Sequence, residues 1–232
     1  MVEKHRVIIA ALIAALVWSV AASAQTAPMV PKPPGSIVQS TFGYLNGVAP
    51  DAQWRAVASR QLLGTRDGRP FYQWYFSVYA SRREAYRLRY QSPTSGGPLS
   101  RVVKADGAAM SFPVAELRID GAASLMREGV QQFVVQSHEM AADCGSATVA
   151  VFAGGPGASV VPAVSVANPC ELTATIAAGR DSIVLRGPYY ALKAPLCCPT
   201  KANASAVLRY RSGQWMESPK YYKLYVGHLP PI

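Results

Sequence analysis

A mainly β fold, an antiparallel sandwich or open barrel with at most one or two short helices, is what this chain of 232 residues predicts. Three observations carry that expectation. Apolar residues recur at every second position in several segments, turn residues punctuate those segments at short spacing, and Gly and Pro supply 18 residues each. Period two is the pleat of a strand, whose successive side chains point to opposite faces. Short strands separated by turns build sandwiches and barrels. With 50% hydrophobic and 16% charged residues the chain has ample material for a core, which excludes a disordered protein. No repeat of roughly 20 to 50 residues marks a solenoid.

The elements follow in order. Met1 to Arg6 is short and net positive, Val7 to Ala22 is almost wholly apolar, and Ala22-Ser23-Ala24 offers the small residues of a signal-peptidase site. Residues 1–24 therefore read as a signal peptide cleaved after Ala24; the alternative is an uncleaved N-terminal membrane anchor. Residues 25–36 form a Pro-rich tether with Pro28, Pro31, Pro33 and Pro34. Asp51 is placed to cap a short helix carrying Trp54, Val57 and Leu62, although an alternating strand fits the same residues nearly as well.

The clearest pattern starts at Tyr72. Tyr72, Trp74, Phe76, Val78 and Ala80 alternate up to Ser81-Arg82-Arg83-Glu84, and Tyr86, Leu88 and Tyr90 then resume opposite Arg87, Arg89 and Gln91. That predicts a half-buried antiparallel hairpin. Arg101 to Lys104 leads into Asp106-Gly107, a hairpin turn pair. Ala115, Leu117 and Ile119 alternate next, and Ala122 to Arg127 is the better helix candidate. Val130 to Met140 and Ala147 to Ala153 flank Asp143-Cys144-Gly145 as a further hairpin. Cys170, Leu172, Ala174 and Ile176 alternate in turn, and Ile183 to Leu185, Ala206 to Arg211 and Trp215 complete the strands. The expected organisation is a basic aromatic region over 37–120 and a cysteine-containing region over 121–232, separate or continuous.

All four cysteines lie late in the chain, at Cys144, Cys170, Cys197 and Cys198. An even count in an exported chain implies two disulfides, with three possible pairings. Adjacent side chains in a strand point apart, so Cys197 and Cys198 either reach Cys144 and Cys170 separately or close a vicinal ring while Cys144 joins Cys170. The stretch Gly187-Pro188-Tyr189-Tyr190, then Ala194-Pro195-Leu196-Cys197-Cys198-Pro199-Thr200, Leu208-Arg209-Tyr210 and Gly213-Gln214-Trp215, resembles a recurrent C-terminal segment of uncharacterised secreted or periplasmic bacterial proteins. In that group a Gly-Pro pair precedes a Cys-Cys-Pro-Ser/Thr turn. The resemblance implies export and the vicinal ring, hence Cys144–Cys170 beside Cys197–Cys198, and it brings no activity with it.

Enzyme signatures are thin. His138-Glu139-Met140-Ala141-Ala142 lacks the second histidine, at the position of Ala142, that a zinc-protease helix needs. A His138–Cys144 nucleophile pair needs a free thiolate, which oxidation removes. No Gly-x-Ser-x-Gly elbow occurs. Ala153-Gly154-Gly155-Pro156-Gly157 has no helix after it to cradle phosphate and reads as a flexible loop. No metal or cofactor is expected.

Charge is the concentrated signal. Removing Glu3, Lys4 and Arg6 lowers the formal charge from +10 to +9. Ten basic residues lie between Arg55 and Lys104 against only Asp67 and Glu84. Arg82, Arg83, Arg87 and Arg89 are the candidate anion-binding set, since guanidinium groups grip phosphate or carboxylate bidentately. Tyr189, Tyr190, Cys197 and Cys198 are a second candidate, for stacking a small ligand or sugar ring. Export removes nucleic acid as the default partner. Anionic lipid head groups, lipopolysaccharide and acidic glycans take its place, and a non-catalytic envelope-associated module is expected ahead of an enzyme acting on envelope glycans.

Overall fold

The computed structural model describes residues 32–45, 53–66, 68–82, 85–92, 101–103, 109–111, 114–127, 129–139, 146–154, 159–191, 194–195 and 198–226. These residues form strands and no helix. The strands are β1 Ser36–Gly43, β2 Trp54–Arg66, β3 Arg69–Arg82, β4 Ala85–Gln91, β5 Arg101–Val103, β6 Ala109–Ser111, β7 Val114–Arg127 and β8 Val130–Glu139. They continue as β9 Ala147–Gly154, β10 Val160–Asn168, β11 Thr173–Ile176, β12 Ser182–Tyr189, β13 Lys201–Arg211, β14 Gln214–Ser218 and β15 Lys223–Val226. A first sheet runs β1-β2-β3-β4, a central sheet β15-β10-β9-β8-β7 and a third sheet β11-β12-β13-β14, with β5-β6 as a short ribbon. Every pairing is antiparallel.

The sheets stack in three layers, and alternation within the central sheet shows why. Along β8 and β9, Phe133, Val135, Ala150 and Phe152 face one core with Trp54, Ala56, Ala58, Phe76 and Val78 of the first sheet. Their neighbours Val134, Val149 and Val151 face the other core with Leu172, just before β11, and Ile183, Leu185 and Leu208 of the third sheet. A sheet covered on both faces reads as an unbroken apolar run, and Ala147–Ala153 is buried throughout.

Glutamines stitch the layers at their edges. Gln39 of β1 exchanges two hydrogen bonds with the backbone of Ile119, the Ile119 amide donating at 2.8 Å. Gln136 of β8 does the same for Ala174 of β11, at 2.9 and 3.1 Å. Each side-chain amide supplies a strand edge with the donor and acceptor that a paired strand would have provided.

Several expectations need correction. The expected helix at Ala122 to Arg127 is the end of β7, paired with β8 around Gly129 (φ 73°). Tertiary pairing overrides alanine's helix propensity here, and the small side chain has a packing reason, since a Cβ on Gly43 would lie 2.9 Å from that of Ala122. The helix capped by Asp51 is likewise replaced, because Trp54, Val57 and Leu62 all belong to β2. The tether ends earlier than expected: Pro33 is buried, β1 opens at Ser36, and a Cβ on Gly35 would collide with the Arg60 carbonyl oxygen. β3 is not half-buried, because Tyr75, Ser77 and Tyr79 on its other face are buried as well.

In β4 the pairing shifts from Val78↔Tyr90 to Tyr79↔Leu88 and leaves Arg89 over. That bulge splits the expected apolar face of Tyr86, Leu88 and Tyr90. Tyr90 packs into the core 5.0 Å from the Phe152 ring, whereas Leu88 is 45% exposed. β7 runs straight through the sequence division at Asp120–Gly121. The Asp106-Gly107 and Asp143-Cys144-Gly145 turns and residues 155–157 lie outside the described residues, although the strands flanking each are paired.

Candidate functional site

The first sheet holds the arginines. Arg87 and Arg89 are exposed on its edge strand β4. Arg82 closes β3, while its side chain and all of Arg83 lie outside the described residues. Arg55 of β2 donates to Ser40 Oγ at 3.4 Å and stands over the Phe42 ring at 5.6 Å. Arg60 sits 4.2 Å from the Tyr72 ring centre and 5.7 Å from that of Trp74. Register explains the cluster, because Arg60 pairs with Trp74 and Leu62 with Tyr72, so all four share one face of the hairpin. A guanidinium over aromatic faces is held in place while its N–H groups remain available. The Trp74 indole N–H donates to the Ala115 carbonyl at 2.9 Å and so ties the arm formed by β2 and β3 to β7.

Among the described residues no carboxylate pairs with Arg55, Arg60, Arg87 or Arg89. The ion pair that forms is Arg118–Asp120 at 2.7 Å, in the central sheet. Arg60 with Tyr72 and Trp74 is the cluster that the linear reading did not single out. Its signal was the Asp67-Gly68 turn pair in the sequence, but the turn alone would set 60 opposite 75, and the bulge between Leu62 and Gly64 is what brings Arg60 opposite Trp74.

The C-terminal group is built differently. The Tyr189 ring packs on Tyr221 at 5.1 Å, Tyr221 meets Tyr222 at 6.4 Å, and the Tyr222 hydroxyl donates to the Gly187 carbonyl at 2.9 Å. Burial, then the neighbouring Glu217, pushes the Tyr222 hydroxyl up to about 12. Tyr190 is half-buried and Cys198 is exposed. A Cβ on Gly187 would collide with the Glu171 carbonyl oxygen, which accounts for the glycine before Pro188. Thr200 Oγ1 accepts the Ala191 amide at 2.9 Å, and the Cys198 amide donates to Pro195 at 3.1 Å, so the turn is closed by its own polar atoms. Cys170 is buried, and its sulfur is bonded rather than titrating. Cys144 and Cys197 lie outside the described residues.

Three buried carboxylates have separate partners. Asp120 faces a cleft of about 490 Å³ at the junction of the three sheets, lined also by Thr41, Phe42, Gln131, Ile176 and Arg180. Burial raises its pKa against the opposing pull of Gln136 and Arg118, and Gln136 Nε2 donates to it. Arg180, in a tight turn at φ 56°, donates to the Ala122 carbonyl across the same cleft. Glu217 accepts the Tyr221 and Tyr222 amides at 3.1 and 3.0 Å, and burial raises it too. Glu139, at the end of β8, is 2% exposed and accepts the Ser146 hydroxyl at 2.9 Å on Oε2, while Oε1 is buried without a hydrogen-bond partner among the described residues. Burial pushes it up to about 7. Each carboxylate serves its own strand end or turn. Among the described residues no group of three His, Cys, Asp or Glu side chains gathers to hold a metal. No protein-family model, curated protein or solved structure matches this chain.

Proposed function

We propose that the protein is an exported, envelope-associated binding module whose first sheet attaches to anionic surfaces, with residues 1–24 removed as a signal peptide. In this reading disulfide bonding of Cys170 braces the C-terminal region. The observation that carries the reading is that Arg55, Arg60, Arg69, Arg87 and Arg89 on β2 to β4 are exposed or held over aromatic rings and make no ion pair among the described residues. Surface cations without internal partners lose little on meeting a polyanion, and the attraction is screened by salt. Charged edge strands also deter sheet-to-sheet aggregation, so Arg87 and Arg89 serve solubility in the same position.

Retention on immobilised heparin tests the proposal. The protein is expected to elute well above 0.15 M salt, and Arg60→Ala with Arg87→Ala and Arg89→Ala to lower the eluting salt substantially. Elution unchanged in the triple variant refutes the basic face.

A further inference from the structure

We infer that the cleft where the three sheets meet binds a small zwitterion of amino-acid or dipeptide type, its ammonium on Asp120 and its carboxylate on Arg180. The site lies apart from the arginines of β2 to β4 and stands independently of the basic face. Four observations converge on it. First, the cleft has the size and place of a ligand site. Its volume of about 490 Å³ falls within the roughly 300–1,000 Å³ of small-molecule pockets, which form preferentially where structural units join.

Second, irregular backbone on two of its walls sets a charge of each sign beside it. In β7 the pairing shifts from Ile119↔Val135 to Gly121↔Val134, which leaves Asp120 over, and Gly121 takes φ 128°. In the turn after β11 the Arg180 amide donates to the Ala177 carbonyl at 2.8 Å, and Arg180 is held at φ 56°. That region is costly for a residue with a side chain, and such positions gather at ligand sites.

Third, the two charges share the cleft without pairing. Asp120 forms its ion pair with Arg118 at 2.7 Å, and Arg180 donates instead to the Ala122 carbonyl. The Asp120 side chain is 10% exposed and takes one donor on each oxygen, from Arg118 and Gln136, which leaves part of a carboxylate's roughly four acceptor sites. A lone anion at Arg180 would face Asp120, and a lone cation at Asp120 would face Arg180. A molecule carrying both signs suits both.

Fourth, the remaining lining suits a carboxylate and a short aliphatic chain. Gln131 spends Oε1 on the Tyr44 amide at 3.2 Å and so presents Nε2 as a donor. Thr41 lies between Gln39 and Gly43, which meet β7, and alternation turns its hydroxyl the same way. Ile176 and Ala177 supply an apolar wall. Phe42 also lines the cleft, but Arg55 stands over its ring at 5.6 Å, which disfavours stacking of a sugar there.

Isothermal titration of the full exported chain with alanine and dialanine is the test, with N-acetyl-dialanine lacking the ammonium and dialanine methyl ester lacking the carboxylate. Binding of at least one zwitterion is expected, and each blocked form should bind about 10-fold more weakly or worse, because a hydrogen bond between charged groups is lost. Arg180→Gln is expected to weaken the zwitterion about 10- to 100-fold and to narrow the gap between dialanine and its methyl ester. Arg180 is exposed, and an unchanged thermal midpoint and heparin elution confirm that the variant folds. Failure of both alanine and dialanine to bind the parent, a blocked form that binds as tightly as dialanine, or full affinity in Arg180→Gln overturns the site. Heparin retention decides the basic face separately.

Discussion

Phe152→Ala is expected to destabilise the protein by about 3–5 kcal/mol, the cost of deleting a fully enclosed aromatic side chain. Phe152 is wholly buried on the central sheet, where it joins two layers. Its ring lies 4.6 Å from Phe76 and 5.0 Å from Tyr90, both on the first sheet. The rings meet at 40° and 53°, tilted arrangements that add to area burial. Collapse around the deletion is restricted, because the same strand presents Val151 to the opposite core and cannot shift without disturbing it. Met216→Ala is the matched control: Met216 is largely exposed on β14, and a change within about 0.5 kcal/mol is expected. Chemical denaturation of both variants makes the comparison, and a Phe152→Ala loss near that of Met216→Ala contradicts the three-layer core.

Stability is expected to fall as pH rises from about 4.5 to about 7, and Glu139 is the main cause. Its folded pKa is raised from an ordinary 4.5, so the folded state holds this proton more tightly than the unfolded chain. The contribution is complete below the unfolded value and is lost as pH climbs through the folded one, a difference of order 3 kcal/mol. Glu139→Gln keeps the shape and the acceptor for Ser146 without a charge to bury. The variant is expected to match the parent at pH 4 and to exceed it at pH 8. Asp120 and Glu217 shift in the same direction, so the variant's profile flattens rather than becoming level. Parallel profiles for parent and variant between pH 4 and 8 refute the assignment.

The strands were legible because one face in and one face out leaves a period-two trace, as at Leu117 and Ile119 or at Leu172 and Ala174. The third layer was less legible, since a sheet buried on both faces leaves a plain apolar run, and Ala147–Ala153 specifies burial without saying by what. β1 carried too few core side chains to stand out, because Ile37, Val38 and Phe42 are all exposed and Gln39 holds the strand through its side chain. The bulge at Arg89 was invisible for a related reason. A one-residue slip changes which face Leu88 occupies but changes nothing in the local sequence pattern. At the site, charge density showed the region, while the Arg60–Tyr72–Trp74 cluster exists only through cross-strand register.

Hydrogen exchange of the exported chain, free and bound to anionic vesicles, tests the central claim most directly. Added protection is expected in 60–74 of the β2–β3 arm and in 85–91 of β4, with the third sheet unchanged. Protection centred on the Tyr189–Cys198 turn, or on the Asp120–Arg180 cleft, with the β2–β3 arm unaffected, would contradict it.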